Sequence, residues 1–159
     1  MSRWGDPLVL CVKPVDSPEW VGMFPAGGLG GLSGVFATPS PQRICVIVDG
    51  LAYLVLVDAP GAGAVMAQNI VEQVVPLEDP QLLLLVRVID IVALGPGGIA
   101  WRSPRLAVDG LRVVRVDTQG IWCVGDSLSQ EQDSFVVDRA TGRVASRPHI
   151  GGSRLDPPP

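Results

Sequence analysis

Lysine and histidine are almost missing from this chain: one residue each, Lys13 and His149, beside eleven arginines. Aromatic side chains make up 5% of the 159 residues, and cysteine occurs three times. A single histidine, set after Pro148 near the C-terminus, supplies neither the usual base of a catalytic triad nor a multi-histidine metal site. Cys11, Cys45 and Cys123 are scattered with no C-x-x-C pair, so neither a zinc knuckle nor a disulfide framework is indicated. Positive charge is short as well. The net charge of −4 makes a poor nucleic-acid binder, because phosphate neutralisation supplies most non-specific affinity. No apolar run is long enough to cross a bilayer as a helix. The most apolar run, Leu82 to Leu94, is 13 residues long and carries Arg87 and Asp90, whereas a spanning helix needs about 20. The N-terminal residues lack a basic region followed by an apolar stretch, so a cytoplasmic location is expected. No metal, cofactor, membrane or nucleic-acid partner is expected, nor a small-molecule ligand.

What is abundant is apolar and turn-forming. Hydrophobic residues reach 47%, charged ones only 18%, and the mean hydropathy is +0.36, with 19 glycines and 15 prolines. Such a composition implies either an unusually large buried share or apolar surface that meets a partner. The length suits one domain. Three segments are expected: 1–42, an N-terminal strand plus a Gly/Pro-rich loop; 43–147, a β-rich core domain; and 148–159, a disordered tail.

Leu8 to Lys13 is a short strand candidate ending at Pro14, and the stretch to Gln42 includes Gly27-Gly-Leu-Gly-Gly-Leu-Ser-Gly34. Ile44–Val48 and Leu51–Val57 flank Asp49-Gly50, a strong signal for a hairpin closed by a type I′ turn. Leu106–Val108 and Leu111–Val116 flank Asp109-Gly110 and predict a second. Ser134–Val137 and Arg143–Ser146 flank Asp138–Gly142, which predicts a third with glycine at a left-handed position. Gln81 to Leu94 is apolar on both alternating faces, the pattern of a strand buried on both sides, with a bulge or bend expected near Arg87–Asp90. Over 64–75 the apolar positions Val65, Met66, Ala67, Ile70, Val71, Val74 and Val75 recur near 3.6 residues and predict one helix, with a strand over 70–75 as the alternative. The fold class is mainly β, a single-domain sandwich or barrel of about eight to ten short strands. A propeller has the right repeat length, about 44 residues between Gly98-Ile-Ala-Trp101 and Gly142-Arg-Val-Ala145, but needs more blades than this chain has room for.

Catalytic patterns fail in detail. Gly61-Ala-Gly63 before the predicted helix has the outline of a phosphate cradle, but Met66 stands where a third glycine or alanine belongs. No serine has the Gly-x-Ser-x-Gly setting, since Ser33 follows Gly31 but precedes Val35 by two. Asp90 is the candidate buried charge. On one strand Arg87 would face the other way, so a partner from Arg102–Arg115 is expected.

The densest cluster of binding-type residues is Trp101, Arg102, Arg105, Arg112, Arg115 and Trp122: residues 101–115 hold four arginines against one aspartate. Tryptophan and arginine dominate binding hot spots, through large contact area and a fixed donor fork. The string Trp101-Arg-Ser-Pro-Arg-Leu-x-x-Asp-Gly-Leu111, with Phe135-x-Val-Asp-x-x-Thr-Gly142, resembles a pattern in uncharacterised bacterial and plant β-rich proteins over roughly residues 82–145. That resemblance implies no activity and assigns no residue a role. The function expected is a non-catalytic protein-interaction or accessory domain, self-associating or a subunit of a larger assembly. The alternative is a small hydrolase or nucleotide-binding domain using the Gly61–Gly63 turn.

Overall fold

The computed structural model describes residues 5–28, 30–129 and 131–147. The expected tail, 148–159, and His149 with it, lie outside them. The chain is mainly β, with fourteen strands among the described residues where eight to ten were expected: β1 (Leu8–Val12), β2 (Trp20–Phe24), β3 (Gly34–Ala37), β4 (Arg43–Val48), β5 (Leu51–Leu56), β6 (Val65–Gln68), β7 (Val71–Leu77), β8 (Leu82–Arg87), β9 (Ile91–Gly95), β10 (Gly98–Arg102), β11 (Asp109–Asp117), β12 (Gly120–Asp126), β13 (Gln132–Val137) and β14 (Val144–Ser146). They form four antiparallel meanders in chain order. Sheet I is the hairpin β1–β2; sheets II, III and IV are β3–β6, β7–β10 and β11–β14.

The sheets pack face to face in series. Leu8, Leu10 and Phe24 of sheet I meet Val46, Val48 and Val55 of sheet II. The opposite face of sheet II, with Cys45, Ile47 and Ala52, meets Val71, Leu83, Leu85 and Val92 of sheet III. Sheet III then turns Leu82, Leu84, Val86 and Ile91 towards Leu111, Val113, Ile121 and Phe135 of sheet IV. Each neighbouring pair is a small sandwich, and the two middle sheets are covered on both sides. That is why β8 alternates leucines without a polar face: odd and even positions serve different joints.

Backbone hydrogen bonds stitch the joints. Val71 donates to Gly50 O (2.8 Å) and Leu111 to Val88 O (3.0 Å), so the first strands of sheets III and IV each hang from the central turn of the sheet before. Gln73 adds a side-chain splice. Its Nε2 donates to Val113 O and its Oε1 accepts from Val113 N, both at 3.0 Å, so the amide acts as one peptide unit beside the free edge of β11.

Several expectations change. The helix over 64–75 is absent: one 3₁₀ turn (Pro60–Ala62) leads into β6 and then β7, joined by a turn at 69–70. The apparent 3.6 period came from two strands offset by that turn, where Ile70 takes φ +56°. Losing the helix also removes the helix N-terminus that a Gly61–Gly63 phosphate cradle requires. Gln81–Leu94 is two strands, since the chain reverses fully at 88–90. Asp109-Gly110 closes no hairpin; it opens β11, with Gly110 at φ +63°. The other two hairpins form as expected. Asp49 and Gly50 both have positive φ (49° and 79°), the type I′ geometry, and Gly142 sits at φ +70° in the β13–β14 loop. Residues 14–42 hold β2 and β3 as well as loops.

Candidate interaction face

The arginine–tryptophan cluster divides four ways once folded. Trp101 serves the joint between sheets III and IV: half-buried against that core, it donates Nε1 to Arg139 O at 3.0 Å. Gly142 lies against its ring so closely that an added Cβ would come within 2.4 Å. Arg105 is folded onto its own loop, donating to the carbonyls of Ala107 (2.9 Å) and Val108 (3.2 Å). Arg102 is exposed on β10. Arg112, Arg115 and Trp122 alone share one surface.

That surface is the outer face of sheet IV. Leu111 and Val113 point inwards, so Arg112 and Val114 point out, and a bulge between Val113 and Arg115 keeps Arg115 outside as well. Arg115 pairs with Trp122 across the strands, and its guanidinium lies 4.1 Å above the indole centroid, within cation–π range. Its Nε also stands 3.5 Å from Asp117 Oδ2. The Asp117 carboxyl is held below its ordinary value, chiefly by the Trp122 N–H directed at it, with help from Gln119 N and Arg115. The indole N–H is buried and makes no hydrogen bond of full geometry among the described residues, so the approach to Asp117 is a loose one. Val114, between the two arginines, is 58% exposed. Arg112 has no ion pair among the described residues. The face thus combines a held aromatic–guanidinium plate, an apolar side chain and an available cation.

Asp90 belongs to a different place. It sits in the β8–β9 turn, half-buried, with Arg87 Nε 3.5 Å from its Oδ1. The ion-pair partner at Asp90 is therefore Arg87, where a residue of the 102–115 region was expected. Face alternation does not apply here, because a turn, not a strand, separates the two.

Sequence reasoning missed a second surface. The outward residues of sheet I are Val9, Cys11, Val21 and Met23, paired as Val9↔Met23 and Cys11↔Val21. Val9, Val21 and Met23 are 58%, 66% and 68% exposed. Lys13 and Glu19 close one end of this row at 3.1 Å. The signal was present in Trp20-Val-Gly-Met-Phe24, which is apolar on both faces like β8, but the surrounding glycines and prolines marked the stretch as loop.

Elsewhere, an open cleft of about 480 Å³ lies beside the β12–β13 turn, where Asp126 and Asp133 face Leu106, Leu128 and Arg147. Arg147 Nη1 already pairs with Asp133 at 3.4 Å. Among the described residues no three His, Cys, Asp or Glu side chains gather as metal ligands, and no helix is long and apolar enough to cross a membrane. Compared with known protein families, curated proteins and solved structures, the chain finds no match.

Proposed function

We propose that this chain is a protein-interaction domain that binds through the outer face of sheet IV, working in the cytoplasm as an accessory protein or a subunit of an assembly. The observation that carries the reading is the Arg115–Trp122 stack with Arg112 and Val114 beside it, all outward on one sheet face. A guanidinium already stacked loses little rotamer freedom on binding and still offers donors to a carboxylate or a carbonyl. An aromatic flanked by arginine and an exposed valine has the make-up of a hot spot with its rim.

A photo-crosslinking amino acid placed at position 114 tests this, with one at Val15, in the β1–β2 loop, as control. Specific protein adducts are expected from position 114 only, and lost when Arg112→Glu and Arg115→Glu are added. Equal adducts at both positions, or none at position 114, would overturn the assignment.

A further inference from the structure

We infer that Asp109–Gly110 is a self-modification site, where the folded chain converts aspartate into isoaspartate without an enzyme. The chemistry needs only water, and the chain carries its own control in a second Asp-Gly pair, Asp49–Gly50.

The reaction joins an aspartyl side chain to the backbone nitrogen of the next residue. Gly110 N attacks Cγ of Asp109, its proton passes to solvent, and a carboxyl oxygen leaves as water, closing a succinimide ring. A second water then opens the ring. Attack at the former side-chain carbonyl restores aspartate. Attack at the former main-chain carbonyl leaves the backbone running through Cβ and Cγ, with the α-carboxylate as a side group. One water leaves, one enters, and no electrons change hands.

The fold treats the two pairs in opposite ways. At 109–110 the carboxyl already lies against the nitrogen that attacks it, since Gly110 N donates to Asp109 Oδ1 at 2.7 Å. Asp109 is exposed, so water reaches the ring. Gly110 falls in the break of register between Asp109 and Arg112, without a Cα partner on β12, and takes φ +63°. A bulged segment of this kind has room to pucker into a ring. At 49–50 each of these features is reversed. Asp49 Oδ2 accepts from Gly28 N at 2.9 Å, and Asp49 N donates to Ser33 Oγ at 2.8 Å, so the residue is held from both ends. Gly50 is buried, and its nitrogen donates to Leu32 O at 2.9 Å. Ring closure there first requires that Gly50 N leave Leu32 and that the Asp49 carboxyl leave Gly28.

The consequence falls on the root of β11. Isoaspartate lengthens the main chain by one atom between two anchors, Val108 N to Asp126 O at 2.8 Å and Leu111 N to Val88 O at 3.0 Å. Leu111 is 1% exposed in the core between sheets III and IV. A close-packed joint with a fixed register does not take up an extra atom without releasing an anchor. The modification therefore loosens the strand that carries Arg112 and Arg115, whatever that face binds.

The full chain, incubated folded and in concentrated guanidinium for equal times, tests this. Trypsin releases Leu106–Arg112, whose single aspartate is Asp109, and Ile44–Arg87, in which fragmentation assigns Asp49. Isoaspartate is read by methyl transfer from a methyltransferase specific for it. The folded chain should modify Asp109 within about threefold of the unfolded rate but Asp49 at least about tenfold more slowly than when unfolded, because reaction at Asp49 waits on local opening. Asp109→Ser keeps an acceptor for Gly110 N but has no carbonyl to attack, and its 106–112 peptide should give no signal. Equal protection of Asp109 and Asp49 in the folded chain overturns the inference, as does a signal from the serine variant's peptide. A protease pulse at the urea midpoint of an aged sample should leave survivors depleted in isoaspartate at 109; an undiminished fraction overturns the loosening of β11. Crosslinking at position 114 enters none of these readouts, so the binding reading and this one fail separately.

Discussion

Replacing Gln73 should cost more than its half-buried position suggests. Its amide spends both functional ends on one residue of the next sheet, donating to Val113 O and accepting from Val113 N at 3.0 Å each. Val113 is 7% exposed and lies on the first strand of sheet IV, whose other ladder partner is β12 on the far side. In Gln73→Met the chain length is kept, but Val113 loses both protein partners. Two net hydrogen bonds of about 1 kcal/mol each, plus part of the penalty for a buried unpaired N–H, give about 2–3 kcal/mol. That is a large fraction of the roughly 5–15 kcal/mol that holds a domain together. With a urea slope of about 2 kcal/mol/M, the unfolding midpoint should fall by about 1 M.

Gln73→Glu separates hydrogen bonding from packing. An ionised carboxylate accepts from Val113 N–H but opposes Val113 O, so the folded state favours the protonated form and its pKa rises above the unfolded value. A raised carboxyl contributes stability that is present below the unfolded pKa, about 4.3, and is lost as pH rises through the folded pKa. The stability gap between Gln73→Glu and the parent should therefore be wide at pH 7 and narrow near pH 4, while the gap for Gln73→Met stays level. A Gln73→Met loss under 0.5 kcal/mol, or a Glu gap indifferent to pH, would refute the splice.

The remaining expectations concern single positions. Ile70 is a β-branched residue at φ +56°, a conformation costly to any L side chain, so Ile70→Gly should raise stability by about 1 kcal/mol in urea unfolding. Gly142→Ala puts a Cβ 2.4 Å from the Trp101 ring at φ +70°; a loss of about 2–4 kcal/mol is expected, with red-shifted tryptophan fluorescence from the opened joint. Burial pushes the Cys45 and Cys123 thiols up to about 12, while Cys11 is exposed. A disulfide reagent should therefore modify one thiol in the native chain and three after unfolding. Because both buried thiols are raised, the stability they contribute is present below their unfolded value near 9 and is lost between there and about 12, so thermal stability should fall through that alkaline window.

Legibility followed from whether a feature announced itself with a turn residue. Asp49-Gly50 and Asp138–Gly142 did, and both hairpins are where the residues put them. The β8–β9 reversal uses Val88, Ile89 and Asp90, with no glycine or proline, so an apolar hairpin read as one long strand. Gly110 has the positive φ that the Asp-Gly pair suggested, but the chain spends it entering sheet IV rather than reversing. At the candidate face, residue type was informative and sequence proximity was not. Twenty-two residues gathered two tryptophans and four arginines, yet one member fills a joint, one braces a loop, one lies exposed on β10 and three share an outward surface. What sorts them is the parity of β11 and its bulge, which no single-chain pattern displays.

The same parity explains the composition. A lone two-sheet sandwich needs apolar residues on one face of each strand; a series of sheets needs them on both faces of every interior strand. β8 and β9 meet that demand with eleven residues of which ten are buried, and β4 with four buried in a row. The mean hydropathy of +0.36 is therefore largely a consequence of architecture, with no membrane required to absorb it. A series with ends, however, leaves an outer face at each end that no other sheet among the described residues covers. Val9, Val21 and Met23 at one end, and Val114 beside Trp122 at the other, are the exposed remainder of that arrangement.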